Sequence, residues 1–202
     1  MYGLPQSTIV KKRQLPKSKI FAKFDLRPSQ RESFDADISR IDVVAVISPA
    51  TIPAIAQSEN ILGIYVLAVQ LKRKEYDEKN IALLSRFIPN KVVFALHFEE
   101  QVQFAINHTR LITSKWQFLT PNSSFLTLQG LTLDSVWDNI VISIGDIQVE
   151  QGKSVAEQIS ADDQRAKILA QIAVLERKMA IEKQPRRKRE HFEQIKKLKN
   201  KI

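Results

Sequence analysis

Ile61-Leu-Gly-Ile-Tyr-Val-Leu-Ala-Val-Gln-Leu71 is the stretch that decides the fold, because almost every position in it is apolar. A run of this kind, rich in β-branched residues, indicates a strand that is buried on both faces. Asp42-Val-Val-Ala-Val-Ile-Ser48 has the same character on its N-terminal side, and Val92–Phe98 has it on its C-terminal side. The three runs therefore predict three buried strands.

The segment between the second and third of these strands predicts a helix. Asp77 has the position of an N-cap, Pro89 ends the pattern, and apolar residues recur between them at Ile81, Leu84 and Ile88. Strand, helix and strand in this order form a βαβ unit, whose strands run parallel and are joined by a right-handed crossover. The predicted fold class is therefore α/β, a mixed sheet with a parallel βαβ core.

Upstream of these runs, Ser29 and Glu32 have the spacing of a helix capping box. Apolar residues then recur four and three apart, which predicts a helix with a stripe formed by Phe34, Ile38 and Ile41. Residues 1–26 contain few apolar residues and are interrupted by prolines. We therefore predict a basic N-terminal arm at 1–26, with room for a short helix at 17–24, and an α/β domain at 27–150.

The C-terminal half of this domain predicts antiparallel additions to the sheet. Gln101–Asn107 follows a turn at Glu99-Glu100 and is typical of the return strand of a hairpin. Two further strands are predicted at Trp116–Phe118 and Phe125–Leu128. A helix comes next, with Gly145 as its stop signal, and its apolar residues are Leu133, Val136, Trp137, Ile140 and Ile144.

Residues 151–202 predict a C-terminal helical element. Apolar residues alternate four and three apart, as in a coiled-coil seam, at Ile168, Ile172, Leu175 and Met179. Pro185 breaks this helix, at its corner or at the first position of the next one. The apolar stripe of that next helix consists of Phe192, Ile195, Leu198 and Ile202. A helical hairpin and a kinked rod that dimerises both fit the pattern, and a seam of about two heptads needs docking or a partner to be stable.

Positive charge is concentrated at the two ends of the chain. Residues 1–24 contain six Lys and Arg and no acid, and residues 183–202 contain nine Lys and Arg and two acids. The whole chain has 31 basic and 22 acidic residues, so residues 25–182 carry 16 basic and 20 acidic residues. Localised charge attracts polyanions or acidic partners more strongly than evenly spread charge. It specifies no reaction.

The composition argues against several function classes. The chain has no cysteine, which excludes disulfides, thiolate chemistry and cysteine-based metal sites, and its three histidines are dispersed. None of its five glycines forms a Walker or dinucleotide-binding fingerprint, which argues against an ATPase, a kinase or a Rossmann dehydrogenase. We expect no cofactor and no bound metal. No apolar run is long enough to span a bilayer, so a cytoplasmic protein without membrane association is expected.

Three basic clusters are candidates for nucleic-acid binding, because clustered Lys and Arg side chains contact phosphates independently of base sequence. They lie in the N-terminal arm, after the long strand and in the last helix. The candidate residues are Lys11, Lys12, Arg13, Lys72, Arg73, Lys74, Arg186, Arg187, Lys188, Arg189, Lys196 and Lys197. On the last helix, Arg189, Lys196 and Lys197 are expected on the side away from Phe192, Ile195 and Ile202. The alternative is a solvated charged surface, or one that pairs with an acidic protein.

A second interpretation concerns catalysis. The order of the predicted elements resembles that of the restriction-endonuclease-like nucleases. It is a helix, a strand with Asp42, a strand ending at Gln70-Leu-Lys72, a helix and a strand. In that superfamily an Asp and a second acid hold a divalent metal, and a Lys orients the attacking water. The resemblance implies these roles for Asp42, Gln70 and Lys72, with Mg²⁺ as the metal. Gln70 is neutral where a carboxylate is usual, so the match is degenerate.

Other titratable side chains are weaker candidates for catalysis. Asp35, Asp37 and Asp42 form an acidic set near a helix end and a strand start, where acids usually face water. His97 lies in the third buried strand and has no partner nucleophile beside it in the sequence. We therefore predict solvated or structural roles for these side chains.

Four segments of the chain resemble a bacterial family known as domain of unknown function 4391. They are Ser29-Gln-Arg-Glu-Ser-Phe-Asp-Ala-Asp-Ile-Ser-Arg-Ile41, Ser48-Pro-Ala-Thr-Ile52, Leu71-Lys-Arg-Lys-Glu-Tyr-Asp77 and Glu182-Lys-Gln-Pro-Arg-Arg-Lys188. The family is uncharacterised, so the resemblance transfers no catalytic residue. Its members are often encoded beside helicases and DNA methyltransferases of restriction or phage-defence type, so the resemblance implies a DNA-processing context.

These patterns together predict a non-enzymatic accessory subunit of a bacterial DNA restriction or phage-defence assembly. Its basic ends would contact nucleic acid, with DNA favoured. Its C-terminal helices would bind a protein partner, such as a helicase or a methyltransferase, or a second copy of the chain as a homodimer. A metal-dependent nuclease and an RNA-associated protein are the alternatives.

Overall fold

The computed structural model of the protein describes residues 1–120 and 124–201, with the backbone alone at Lys12. Ile202, the last residue of the predicted apolar stripe, and the Lys12 side chain, a predicted phosphate contact, lie outside the described part. The chain divides into two compact units, Met1–Ile147 and Gln148–Ile202, called here the N-terminal and C-terminal units.

The N-terminal unit is built on a mixed sheet, which has seven strands within the described residues. The strands are β1 (Ile9–Gln14), β2 (Ile38–Ile47), β3 (Ile64–Leu71), β4 (Lys91–Phe98), β5 (Gln101–Asn107), β6 (Leu111–Thr113) and β7 (Gln117–Phe118). Their order is β1-β2-β3-β4-β5-β6, and β7 also pairs with β5. The β3–β4 pair is parallel and the other described pairs are antiparallel, which confirms the predicted mixed sheet with a parallel core.

Four helices are described in the N-terminal unit: α1 (Lys17–Phe24), α2 (Pro28–Asp37), α3 (Glu78–Phe87) and α4 (Leu133–Gly145). Helix α3 connects the parallel strands β3 and β4, as predicted, and the Asp77 side chain caps it by accepting from the Lys79 backbone N–H at 3.0 Å. Helices α1 to α3 contribute to one core on one face of the sheet, through buried residues that include Ile20, Phe34, Ile81 and Leu84.

The first 26 residues, predicted as a separate basic arm, are instead part of the sheet unit. Strand β1 pairs with β2, so that Arg13 lies opposite Val43. The Tyr2 ring is buried, and it packs edge-on against Phe104 at 5.4 Å between ring centroids. Strand β1 is an edge strand, and edge strands carry charged side chains that discourage pairing with other chains. Three of the six basic residues that suggested an arm, Lys11, Lys12 and Arg13, therefore belong to a sheet edge, and the other three lie on α1.

The predicted boundary between the first helix and the first buried strand is wrong. Helix α2 ends at Asp37, and Ile38 and Ile41 belong to β2 rather than to a helical stripe. The predicted capping box of Ser29 and Glu32 is also wrong. Arg27 is the N-cap, and the Gln30 side-chain oxygen accepts from its backbone N–H at 3.1 Å. A proline at the first helical position fixes the backbone there without any need for the Ser29 hydroxyl.

The rest of the N-terminal unit follows the predictions in part. The structure confirms the β4–β5 hairpin, the strand at Gln117–Phe118 and helix α4. The predicted strand at Phe125–Leu128 is wrong, because those residues have no strand structure. Gly145 is the last residue of α4 rather than its left-handed stop, which is Asp146 with φ 48°. A Cβ on Gly145 would lie 2.9 Å from a methyl carbon of Ile112, so close packing requires glycine here.

The C-terminal unit contains α5 (Val155–Ile181) and α6 (Pro185–Lys199), with Pro185 at the first turn of α6 as predicted. The two helices pack against each other as a hairpin, and Ile172 and Ile195 are buried. Phe192, predicted in the apolar stripe, is instead 54% exposed. The hairpin answers the question that the sequence left open, whereas the coiled-coil seam and dimerisation stay predictions. None of the described helices is both long enough and apolar enough to cross a membrane.

Candidate nucleic-acid interface

Asp37, at the junction of α2 and β2, organises the segment that follows β3. Its side chain is fully buried, and its carboxylate accepts from Arg73 Nε at 2.6 Å, from Asn80 Nδ2 at 2.7 Å and from the Asp77 backbone N–H at 2.8 Å. Its backbone carbonyl accepts from the Lys72 N–H at 2.8 Å. A buried carboxylate is stable only when it is paired and hydrogen-bonded, so these contacts fix residues 72–77 in one conformation.

Segment 72–77 presents three cations at the carboxyl end of β3. In α/β sheets, ligands usually bind at the carboxyl ends of the strands. The side chains of Lys72, Arg73 and Lys74 are exposed. Arg73 is oriented by Asp37, and Lys74 donates to Gln101 Oε1 at 2.7 Å. The structure therefore brings the second predicted basic cluster together on one surface and neutralises part of it.

Tyr76 ties the same segment to the sheet. Its hydroxyl donates to Gln103 Oε1 at 2.9 Å. Burial, with a smaller contribution from the negative charge of Glu78, raises the pKa of Tyr76 to about 12. The hydroxyl therefore stays protonated and remains a donor across the physiological pH range.

Of the proposed catalytic residues, Asp42 lies on β2, Gln70 lies on the adjacent strand β3, and Lys72 follows the end of β3. In the β2–β3 register, Asp42 is opposite Ala68 and Arg40 is opposite Gln70, so Asp42 and Gln70 share a face of the sheet. Asp42 Oδ2 accepts from Arg40 Nε at 2.7 Å, and its Oδ1 is buried without a hydrogen-bond partner among the described residues. Gln70 Nε2 lies 3.4 Å from the His97 carbonyl oxygen. The catalytic roles of Asp42, Gln70 and Lys72 stay predictions.

Each acid of the predicted acidic set has its own cation. Asp35 pairs with Lys17 at 2.6 Å, Asp37 with Arg73 at 2.5 Å and Asp42 with Arg40 at 2.7 Å. Across the described residues, no three His, Asp or Glu side chains converge in a way that could hold a metal ion. A divalent cation beside Asp42 would meet one carboxylate and the Arg40 guanidinium, so the residues present do not fit Mg²⁺.

His97 has a buried tyrosine as its neighbour. Tyr2 Oη lies 2.6 Å from His97 Nε2, and burial raises the pKa of Tyr2 above its ordinary value. This contact ties the N-terminal residues to β4, in agreement with a structural role for His97.

The first basic cluster lies on the edge strand β1. The side chains of Lys11 and Arg13 are exposed. Arg13 lines a cavity of about 320 Å³ together with Lys19, Tyr65 and Asn90. This cluster is separate in sequence and in strand position from the cations that follow β3.

The third basic cluster is helix α6, where Arg186, Arg187, Lys188, Arg189, Lys196 and Lys197 are all exposed. Arg186 lies 3.5 Å from Glu190, and Lys199 lies 3.4 Å from Glu176 of α5. Ile195 is buried whereas Arg189, Lys196 and Lys197 are exposed, in line with the expected separation of these cations from the apolar residues. For Phe192 the expectation is wrong, because Arg189, Phe192 and Lys196 follow one another at spacings of three and four along α6 and so share one side of the helix.

A groove of about 620 Å³ runs between α5 and α6. Its lining is mostly apolar and consists of Ala170, Gln171, Val174, Leu175, Gln194, Lys197 and Leu198. The packing of α5 against α6 therefore leaves part of the apolar surface of the hairpin uncovered within the C-terminal unit.

Sequence reasoning missed Asp37 as the residue that organises the interface. An acid between a helix and a strand is usually solvated, and the hydrogen-bond partners of Asp37 lie 36 to 43 residues away in the chain. No local pattern marks such a set of contacts.

A family model described as Domain of unknown function (DUF4391) matches residues 2–202. The comparisons with curated proteins and with solved structures gave no match. The description of the matched family assigns it no activity.

Replacing Asp37 by alanine removes three hydrogen bonds and leaves the Arg73 guanidinium without its buried counter-ion. We expect the free energy of unfolding, measured by urea denaturation, to fall by about 3 kcal/mol. The matched control is Asp35→Ala, which breaks a half-exposed ion pair and should cost less than about 1 kcal/mol. Equal losses for the two variants would contradict the role given to Asp37.

Proposed function

Since the chain belongs to the DUF4391 family, whose description assigns no activity, we propose from its surfaces that it is a non-enzymatic accessory subunit that binds nucleic acid. The observation that carries the proposal is the charge of α6, which has seven Lys and Arg and two Glu in 15 residues. Its cations are exposed, so they are available for phosphate contacts.

Helix α6 is the main phosphate-binding element in this proposal. Exposed Lys and Arg on a helix neutralise phosphates and release condensed counter-ions, which gives an affinity that falls as salt rises. The cations of segment 72–77 form a second, smaller contact surface in the N-terminal unit. Both surfaces contact the backbone rather than base edges, so the binding they give does not depend on base sequence. Duplex DNA, single strands and RNA all present the required phosphates.

The apolar groove of the C-terminal unit supports the second part of the proposal, a protein partner. Lys197 lines the groove, and Lys167 and Lys178 lie on the same side of α5 as Gln171 and Val174, by helical spacing. An amphipathic helix with an apolar face and acidic flanks complements this surface. A second copy of the chain would bring like charges together, so we favour an acidic partner over a homodimer.

The biological setting is part of the proposal. A DNA restriction or phage-defence assembly with a helicase or a methyltransferase is implied by the family resemblance alone. The nuclease and RNA-associated alternatives stay predictions. The pairing of Asp35, Asp37 and Asp42 with cations does not favour the nuclease.

Neutralising α6 tests the phosphate contacts. In a variant with Arg186, Arg189, Lys196 and Lys197 all replaced by alanine, we expect affinity for a labelled oligonucleotide to fall at least about tenfold at low salt. The slope of log affinity against log salt should shrink in magnitude by about three, because a protein that makes fewer phosphate contacts releases fewer counter-ions on binding. Fluorescence anisotropy over a salt series measures both quantities.

The matched control replaces four exposed cations elsewhere, Lys79, Arg86, Lys153 and Arg165, by alanine. This variant has the same net charge as the α6 variant. If it loses as much affinity and slope as the α6 variant, the binding reflects overall charge, and the proposal that α6 binds phosphates fails.

The choice between an acidic partner and a second copy is tested by analytical ultracentrifugation. We expect the wild-type protein and Val174→Asp to sediment as monomers, because the charged hairpins repel each other. The control is Ala173→Asp, outside the groove lining. A wild-type dimer that Val174→Asp dissociates and Ala173→Asp preserves would show that the groove binds a second copy.

A further inference from the structure

We propose that a patch formed by Trp116, Phe118 and Lys74 binds the bases of single-stranded nucleic acid by stacking. This inference rests on the proposed function, because it names which form of nucleic acid the N-terminal unit binds. Phe118 is 66% exposed, and Trp116 is half-buried at the edge of the core. Exposed aromatic side chains beside cations are the recurring feature of surfaces that bind single strands.

The three side chains meet because of strand pairing. Strand β7 pairs with the start of β5, so that Phe118 lies directly opposite Gln101. Directly opposed residues point to the same face of a sheet, so the side chains of Phe118 and Gln101 share that face. Gln101 Oε1 accepts from Lys74 Nζ at 2.7 Å, and this ammonium lies 5.5 Å from the centre of the Trp116 ring. Aromatic rings and a cation therefore share one surface.

The cations beside the rings are held in place before any ligand arrives. Asp37 fixes the backbone of segment 72–77 through Lys72 and Asp77 and orients the Arg73 guanidinium, which is still 56% exposed. A preorganised cation loses little conformational freedom on binding, so more of its interaction energy appears as affinity. Lys72, Arg73 and Lys74 can then contact phosphates while a base stacks on the Phe118 ring.

The exposed ring of Phe118 favours single-stranded nucleic acid over a duplex. In a duplex the faces of the bases are covered by their neighbours, whereas in a single strand they are free to stack on an aromatic side chain. A protein partner fits this surface less well, because the cores of protein interfaces are poor in lysine. The same chemistry serves single-stranded DNA and single-stranded RNA.

Phe118→Ala tests the inference directly. We expect the affinity for a fluorescein-labelled oligothymidylate to fall about tenfold, and the affinity for a labelled duplex to change less than about twofold. Phe118→Tyr, which keeps an aromatic ring, should restore single-strand binding. The matched control is Leu62→Ala, because Leu62 is 67% exposed in the same unit and lies outside the patch. Oligouridylate, used in parallel, shows whether single-stranded RNA is bound as well as single-stranded DNA, and tighter binding of either single strand than of the duplex supports the inference.

Thermal unfolding followed by circular dichroism checks that Phe118→Ala is folded. Quenching of Trp116 fluorescence by oligothymidylate, measured in a Trp137→Phe background, supplies a second readout of stacking. Unchanged single-strand affinity in Phe118→Ala, or equal losses for single strand and duplex, would overturn the inference and leave the proposed function intact. If the wild-type protein binds neither form at low salt, the proposed function fails as well.

Discussion

The buried carboxylate of Asp37 is the constraint on which the proposed binding surface of the N-terminal unit depends. An unpaired charge in this position would be strongly destabilising, so the fold must bring donors to it. The donors come from Arg73, Asp77 and Asn80, that is, from the exit of β3 and the first turn of α3. One side chain therefore defines the end of α2, the entry to the βαβ crossover and the position of three cations.

The cations of this protein divide into two groups by their surroundings. Lys17, Arg40 and Arg73 neutralise acids of the fold, and each of the three acids they pair with lies near the start of β2. The cations of α6 are exposed on a helix that carries few acids. The net charge of +9 is therefore distributed unevenly along the chain. Exposed clusters contribute little to stability, which favours a role in binding for them.

The sequence predicts the βαβ core, the β4–β5 hairpin, α4 and the two C-terminal helices, because each has a strong local signal: an apolar run, a cap, or an apolar period. It does not predict β1, since a charged edge strand has no apolar period. The sequence pattern places Ile38 and Ile41 on a helix, because two isoleucines three residues apart fit a helical period. In the structure the helix ends at Asp37, whose side chain makes long-range contacts, and both isoleucines lie on β2. The sequence predicts the candidate site in part. It marks the cations of segment 72–77, whereas the position of the Phe118 ring depends on the pairing of β7 with β5, which no local pattern specifies.

The central claim is that this protein binds polyanions through α6 and the surface around segment 72–77. Hydrogen–deuterium exchange with and without a single-stranded oligonucleotide at low salt tests it most directly, because it maps contacts on the intact chain without any substitution. The account predicts slowed backbone exchange in α6, in segment 72–77 and at β7, with strand β1 unchanged. Exchange that is unaffected in all three regions, or protection confined to other parts of the chain, would contradict it.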